Sequence, residues 1–219
     1  GAGQNGKKGS IAEFFTSAAL GWVVGDATPC YEEKLSRFRR SVVHLPGEYF
    51  VVHDEIAAPK PVKVEFKLHT APDGKFIAAG RAIALDAKSG ARSFVVERPG
   101  GRVAVELIAP KATTARHLQW PDSEKYGHYL TIGTGVAAAS QENAFVLTPG
   151  PAGAKPAAVK AAIRAVGGRA RLITVGGDRV VINPDGAKIA AGGGLSTDAH
   201  AALIGGGAGE KRFGLVGGT

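Results

Sequence analysis

The 219-residue sequence has no methionine, one cysteine, two tryptophans and four tyrosines. The lone Cys30 excludes an internal disulfide and any cysteine-rich metal site, and reads as a small buried hydrophobe. No stretch reaches the roughly 18 apolar residues of a membrane-spanning helix, and no charged, apolar and small-residue series marks a signal peptide at the start. The motifs GxSxG and HExxH are missing, which removes the standard hydrolase and zinc-protease readings. Gly192-Gly193-Gly194 and Gly205-Gly206-Gly207 lack both the strand and helix context of a dinucleotide fingerprint and the GKS or GKT ending of a phosphate loop, so they read as turns. Dense blocks of one charge are absent too, since the basic residues are spread from Lys7 to Arg212. That distribution argues against a nucleic-acid arm and against specific nucleic-acid recognition. With no methionine even at its start, the sequence reads as part of a longer chain.

What the sequence does contain is 32 glycines and 12 prolines among runs of valine, isoleucine and threonine, with 44% hydrophobic residues. This composition predicts an all-β fold of many short strands and frequent turns, a large two-layer antiparallel β-sandwich, and one domain over residues 1–219. Residues 11–17 and 20–26 read as adjacent strands, and 33–45 and 48–56 as a central hairpin. Residues 62–69 alternate apolar and polar side chains after Pro59 and Pro61 break the pattern. Further strands are expected near 75–79, 81–86, 91–97, 103–108, 128–133, 143–148, 159–166, 170–175, 178–182 and 210–216. Residues 109–127 have no period and read as a long surface loop, and 149–158 as a linker or loop.

The hairpin organises the rest. If Pro46-Gly47 forms a two-residue turn, His44 pairs with Tyr49, Val42 with Val51 and Arg40 with His53. Both faces are then largely apolar, which places the hairpin inside a larger β structure.

Several side chains are candidates for chemistry. His44, His53 and Asp54 lie close in the hairpin, but successive strand residues face opposite ways, so the three do not converge on a metal. Asp54 reads instead as an acceptor that ties its strand to a neighbour. Arg37, Arg39 and Arg40 are split by the same alternation and read as solvated or carboxylate-paired. His69 shares a polar strand face with Lys63 and Lys67, which suits either a neutral base or a structural histidine. Residues Arg116, His117, Trp120, Lys125, Tyr126 and His128 of the 109–128 segment mix cations with aromatics. Sugar rings stack on such aromatics while cations meet acidic groups; the alternative is that the aromatics pin the loop to the sandwich. The substrate-binding set is therefore Arg116, His117, Trp120, Lys125, Tyr126 and His69. A net charge of +8 implies attraction to polyanions in general, so nucleic acid, an anionic membrane surface and acidic polysaccharide all qualify as partners, beside the plainer reading of a positively charged surface with no such role.

Five motifs occur in order: Gly1-Ala2-Gly3-Gln4; Gly25-Asp26-Ala27 with Tyr31; the run Phe38 to Leu45; the run Tyr49 to Asp54; and Leu68-His69-Thr70. Together they resemble the C-terminal β-sandwich of heparinase II/III-like polysaccharide lyases. The resemblance implies β-elimination of uronate-containing polysaccharides in a cleft between an upstream helical α/α toroid and the sandwich. It also implies a periplasmic or secreted location, and zinc in the full-length protein but no cofactor in this chain. The family's catalytic tyrosine, histidine and asparagine, its further histidine and its zinc ligands would all precede Gly1. No catalytic or metal-binding residue is therefore assigned to this sequence, and the matching residues look architectural. Alternatives are a non-catalytic carbohydrate-binding or structural β-module, and a nonspecific polyanion binder.

Overall fold

The computed structural model describes residues 7–154, 159–192, 195–207 and 210–218. In chain order the strands are β1 (Ser10–Thr16), β2 (Gly21–Asp26), β3 (Arg37–Leu45), β4 (Tyr49–Val62), β5 (Glu65–Thr70), β6 (Lys75–Ala78), β7 (Arg81–Ala82), β8 (Lys88–Ser89), β9 (Ser93–Arg98) and β10 (Gly101–Ala109). After these come β11 (Thr114–Gln119), the four-residue helix α1 (Ser123–Tyr126), β12 (His128–Gly133) and β13 (Ala138–Gly150). The last strands are β14 (Ala161–Gly167), β15 (Ala170–Val175), β16 (Asp178–Ile182), β17 (Ile189–Gly192), β18 (Leu195–Thr197), β19 (Ala201–Gly207) and β20 (Glu210–Val216).

The expected antiparallel sandwich is present, with one layer more than two. A nine-stranded sheet in the order β1-β2-β3-β4-β13-β10-β9-β6-β7 forms the middle. On one face Trp22, Val43, Leu45, Val51 and Val146 pack against Ile173, Val180, Ile182 and Leu203 of the five-stranded sheet β14-β15-β16-β19-β20. On the other, Val52, Phe94, Leu107 and Phe145 pack against Ala115, Leu130 and Ile132 of the four-stranded sheet β5-β12-β11-β8. The third layer follows from the hairpin: strands apolar on both faces must be covered on both. Cys30 is free and buried, as its sequence reading has it.

The β3–β4 turn differs from the expected one by a residue. It spans Pro46, Gly47 and Glu48, with Gly47 at φ 79° and the Glu48 N–H donating to the Leu45 carbonyl at 3.1 Å. Leu45 therefore faces Tyr49, Val42 faces Val52, and Arg40 faces Asp54 instead of His53. A three-residue loop closing through a left-handed glycine shifts the register by one, and with period-two alternation that exchanges every partner.

Three further expectations are corrected. β4 runs on through Pro59 and Pro61, because its pairing with β13 is irregular between Ala57↔Ser140 and Val62↔Ala138, where no ladder needs those amides. The segment 109–127 is not a loop throughout: β11 pairs with β12 and β8, and α1 follows. Its alternation is hidden because the inward residues are Ala115 and His117, neither a large hydrophobe. Gly205, Gly206 and Gly207 are paired strand residues opposite Arg212, Lys211 and Glu210, not a turn. The Gly1–Gln4 motif, Gly193-Gly194 and residues 155–158 of the expected linker lie outside the described residues.

Candidate aromatic and cationic site on the outer four-stranded sheet

Alternation along three strands builds this site. In β5, Phe66 and Leu68 turn into the core and leave Glu65, Lys67 and His69 outside; in β12, Leu130 and Ile132 turn in and leave Tyr129 outside; in β11, Ala115 and His117 turn in and leave Arg116 outside. Register sets His69 directly opposite Tyr129. Trp120 follows β11 and is held by its N–H donating to the Gly127 carbonyl at 3.4 Å. Gly127, at φ 75°, closes the α1 turn where an added Cβ would overlap the Thr70 carbonyl oxygen and the Ala71 backbone, so only glycine fits.

The result is an aromatic cluster facing solvent. Trp120 stacks on His69 with ring centres 5.8 Å apart and planes at 10°, and meets Tyr129 at 4.9 Å. The Lys67 ammonium lies 5.3 Å from the Trp120 ring centre and 5.0 Å from that of Tyr129. Exposed cation–π contacts hold about 0.5–1 kcal/mol each, so this flexible chain is free to exchange a ring for a carboxylate. Burial, and then the charge of Lys67, hold the His69 imidazole below its ordinary value, which keeps it neutral at pH 7.

The predicted site residues divide. His69 and Trp120 come together, and Arg116 shares their face while pairing with Asp86 at 2.9 Å. Lys125 and Tyr126 form a local pair on α1, with the ammonium 5.0 Å from the exposed ring. His117 does not belong to the site. It is 9% exposed and points into the core, its Nδ1 2.7 Å from the Ile83 carbonyl and its ring edge-on to Phe76 at 5.2 Å. Sequence reasoning missed Tyr129 and the role of Lys67. Alternation in 62–69 and 128–133 puts both on an outer face, but the pairing of β5 with β12 is a long-range fact.

The remaining candidates are tied up structurally. Arg40 donates to Asp54 through Nε at 2.6 Å and Nη2 at 2.8 Å, with Asp54 1% exposed, so Asp54 does tie its strand to the neighbour. His53, 1% exposed, has Nε2 2.6 Å from Glu142 Oε1, which also accepts from Arg171 Nε at 2.7 Å. Glu13 accepts from Trp22 at 3.1 Å, contacts His200 Nδ1 at 2.9 Å, and so fastens β1 toward the third layer. Among the described residues no three His, Cys, Asp or Glu side chains are grouped to hold a metal. A groove of about 1140 Å³ between β10, β13 and β14 is walled by Leu107, Ile108, Val136 and Ile163 and shares no residue with the aromatic cluster.

A family model described as "Heparinase II/III-like, C-terminal" matches residues 2–156. No curated protein matches the chain. Among solved structures, a mutant heparan sulfate lyase from Pedobacter heparinus superposes with a TM-score of 0.55 at 14% identity, covering 80% of this chain and 27% of that one. Heparinase III gives 0.54 at 15% identity, with 80% and 27% covered. A Paenibacillus xanthan lyase gives 0.51 at 13% identity, covering 90% of this chain and 23% of its own. At such identities the likeness is one of fold, and the chain spans about a quarter of each of these structures.

Proposed function

Because the chain belongs to the heparinase II/III-like C-terminal family, we propose that it is the β-sandwich portion of a lyase that cleaves acidic, uronate-containing polysaccharides by β-elimination, and that by itself it is not catalytic. The observation that carries this reading is the family match over residues 2–156, on a fold shared with lyases. β-Elimination removes the proton at C5 of the uronate, breaks the C4–O bond, forms a C4–C5 double bond and returns a proton to the leaving oxygen. It needs a base, a group that neutralises the carboxylate, and an acid, all in one cleft.

The buried candidates do not supply such a set. His53 and His117 are buried and engaged. Tyr49 is 6% exposed, and burial together with its 2.8 Å hydrogen bond to Asp178 pushes its hydroxyl far above the ordinary range, so it keeps its proton. The base and acid are expected from an upstream helical toroid of the parent chain, while the surplus of eight positive charges draws the polyanion in. Mixing the purified chain with alginate or heparin should produce no unsaturated-uronate absorbance, whereas the parent protein should produce it. Absorbance from the chain alone, or none from the parent on any uronate polysaccharide, would overturn the reading.

A further inference from the structure

Strand register arranges the outer face of the β5-β12-β11-β8 sheet into two parallel rows. Lys67 faces Thr131, Thr131 faces Arg116, and Arg116 faces Lys88, so one line of side chains crosses all four strands and carries three cations. Beside it, His69 faces Tyr129 and Tyr129 faces Leu118, with Trp120 stacked on the end. In the middle of the cationic row the Thr131 hydroxyl is buried without a partner. Asp86, paired with Arg116, is the acid at this row, and Glu65 lies on the flanking rung opposite Gly133. With strands about 4.8 Å apart, three gaps give the row a length of about 14 Å.

We propose that this face binds a uronate oligosaccharide laid across the strands, with the apolar faces of its rings on Trp120 and Tyr129 and its carboxylates on Lys67, Arg116 and Lys88. A uronate sugar has an apolar ring face on one side of a negative group, and the two rows offer those chemistries side by side. Nucleic acid fits less well, because only a single aromatic strip borders the cations and base stacking calls for successive platforms along a groove. The proposal rests on the acidic-polysaccharide reading above, and adds the residues and the direction of the bound chain.

The test is titration of the whole chain with an alginate oligosaccharide, a neutral glucan oligosaccharide and single-stranded DNA, each at low and high salt. The alginate oligosaccharide should bind most tightly. Trp120→Ala should weaken it about five- to tenfold even at high salt, the size of one lost stacking contact. Trp120→Phe should restore most of that loss. Lys88→Gln, at an exposed strand end, should weaken binding at low salt and flatten its salt dependence without disturbing the fold. Equal affinity for DNA with no response to Trp120 would overturn the proposal, as would alginate binding that survives Trp120→Ala combined with Lys88→Gln. Titration involves no cleavage, so an inactive parent leaves these results unchanged, and the two readings fail separately.

Discussion

Arg40 and Asp54 offer a direct test of the register that the turn imposes. Asp54 is 1% exposed and Arg40 is 40% exposed, and they share two charge-assisted hydrogen bonds of 2.6 and 2.8 Å. Replacing Arg40 by methionine keeps an apolar stem beside Phe66, whose ring centre lies 5.5 Å from the guanidinium, but strands a carboxylate in the core. Breaking a buried pair costs about 3–5 kcal/mol, and the partial exposure of Arg40, which lets water reach the vacated position, argues for about 3. Replacing both partners by apolar residues should recover most of that loss. Arg98 and Asp73 make the same chemical pair at 53% and 49% exposure, so Arg98→Ala should cost no more than about 1 kcal/mol. Urea midpoints for the four proteins measure this. An Arg40→Met cost equal to that of Arg98→Ala would refute the reasoning.

Glu142 is pushed up by burial, but the His53 hydrogen bond and the charges of His53 and Arg171 outweigh this and hold it below its ordinary 4.5. A depressed carboxyl stabilises the fold above the unfolded pKa and loses that contribution as pH falls through the folded one, so Glu142→Gln should flatten the decline in urea midpoint below pH 4.5. Gly127→Ala should destabilise the chain and abolish alginate binding, since the new Cβ would meet the Thr70 and Ala71 backbone and displace the turn that carries Trp120; unchanged binding would separate that turn from the site. β1 is an edge strand with Ile11 66% and Phe14 72% exposed, so the chain should self-associate or bind a hydrophobic dye. Phe14→Lys should reduce both, as read by light scattering and dye fluorescence.

The sequence by itself determined the class of fold and the middle of the molecule. Glycine and proline punctuation among β-branched runs specifies short strands, and two-sided apolarity in residues 42–52 requires cover on both faces, because each rule depends only on neighbouring residues. Asp54 was legible as a structural acceptor for the same reason. Tertiary structure alone decided which residues meet. One extra turn residue, Glu48, gave Arg40 to Asp54. Small inward residues hid β11, so His117 read as a surface side chain when it lies in the core. Lys67, Thr131, Arg116 and Lys88 are scattered over more than sixty positions, and become one row only because β5, β12, β11 and β8 pair across long sequence separations. Alternation tells each side chain which face it takes, but strand order and register decide its neighbour, and those are set by packing of the whole sheet on Leu130, Ile132 and Phe145.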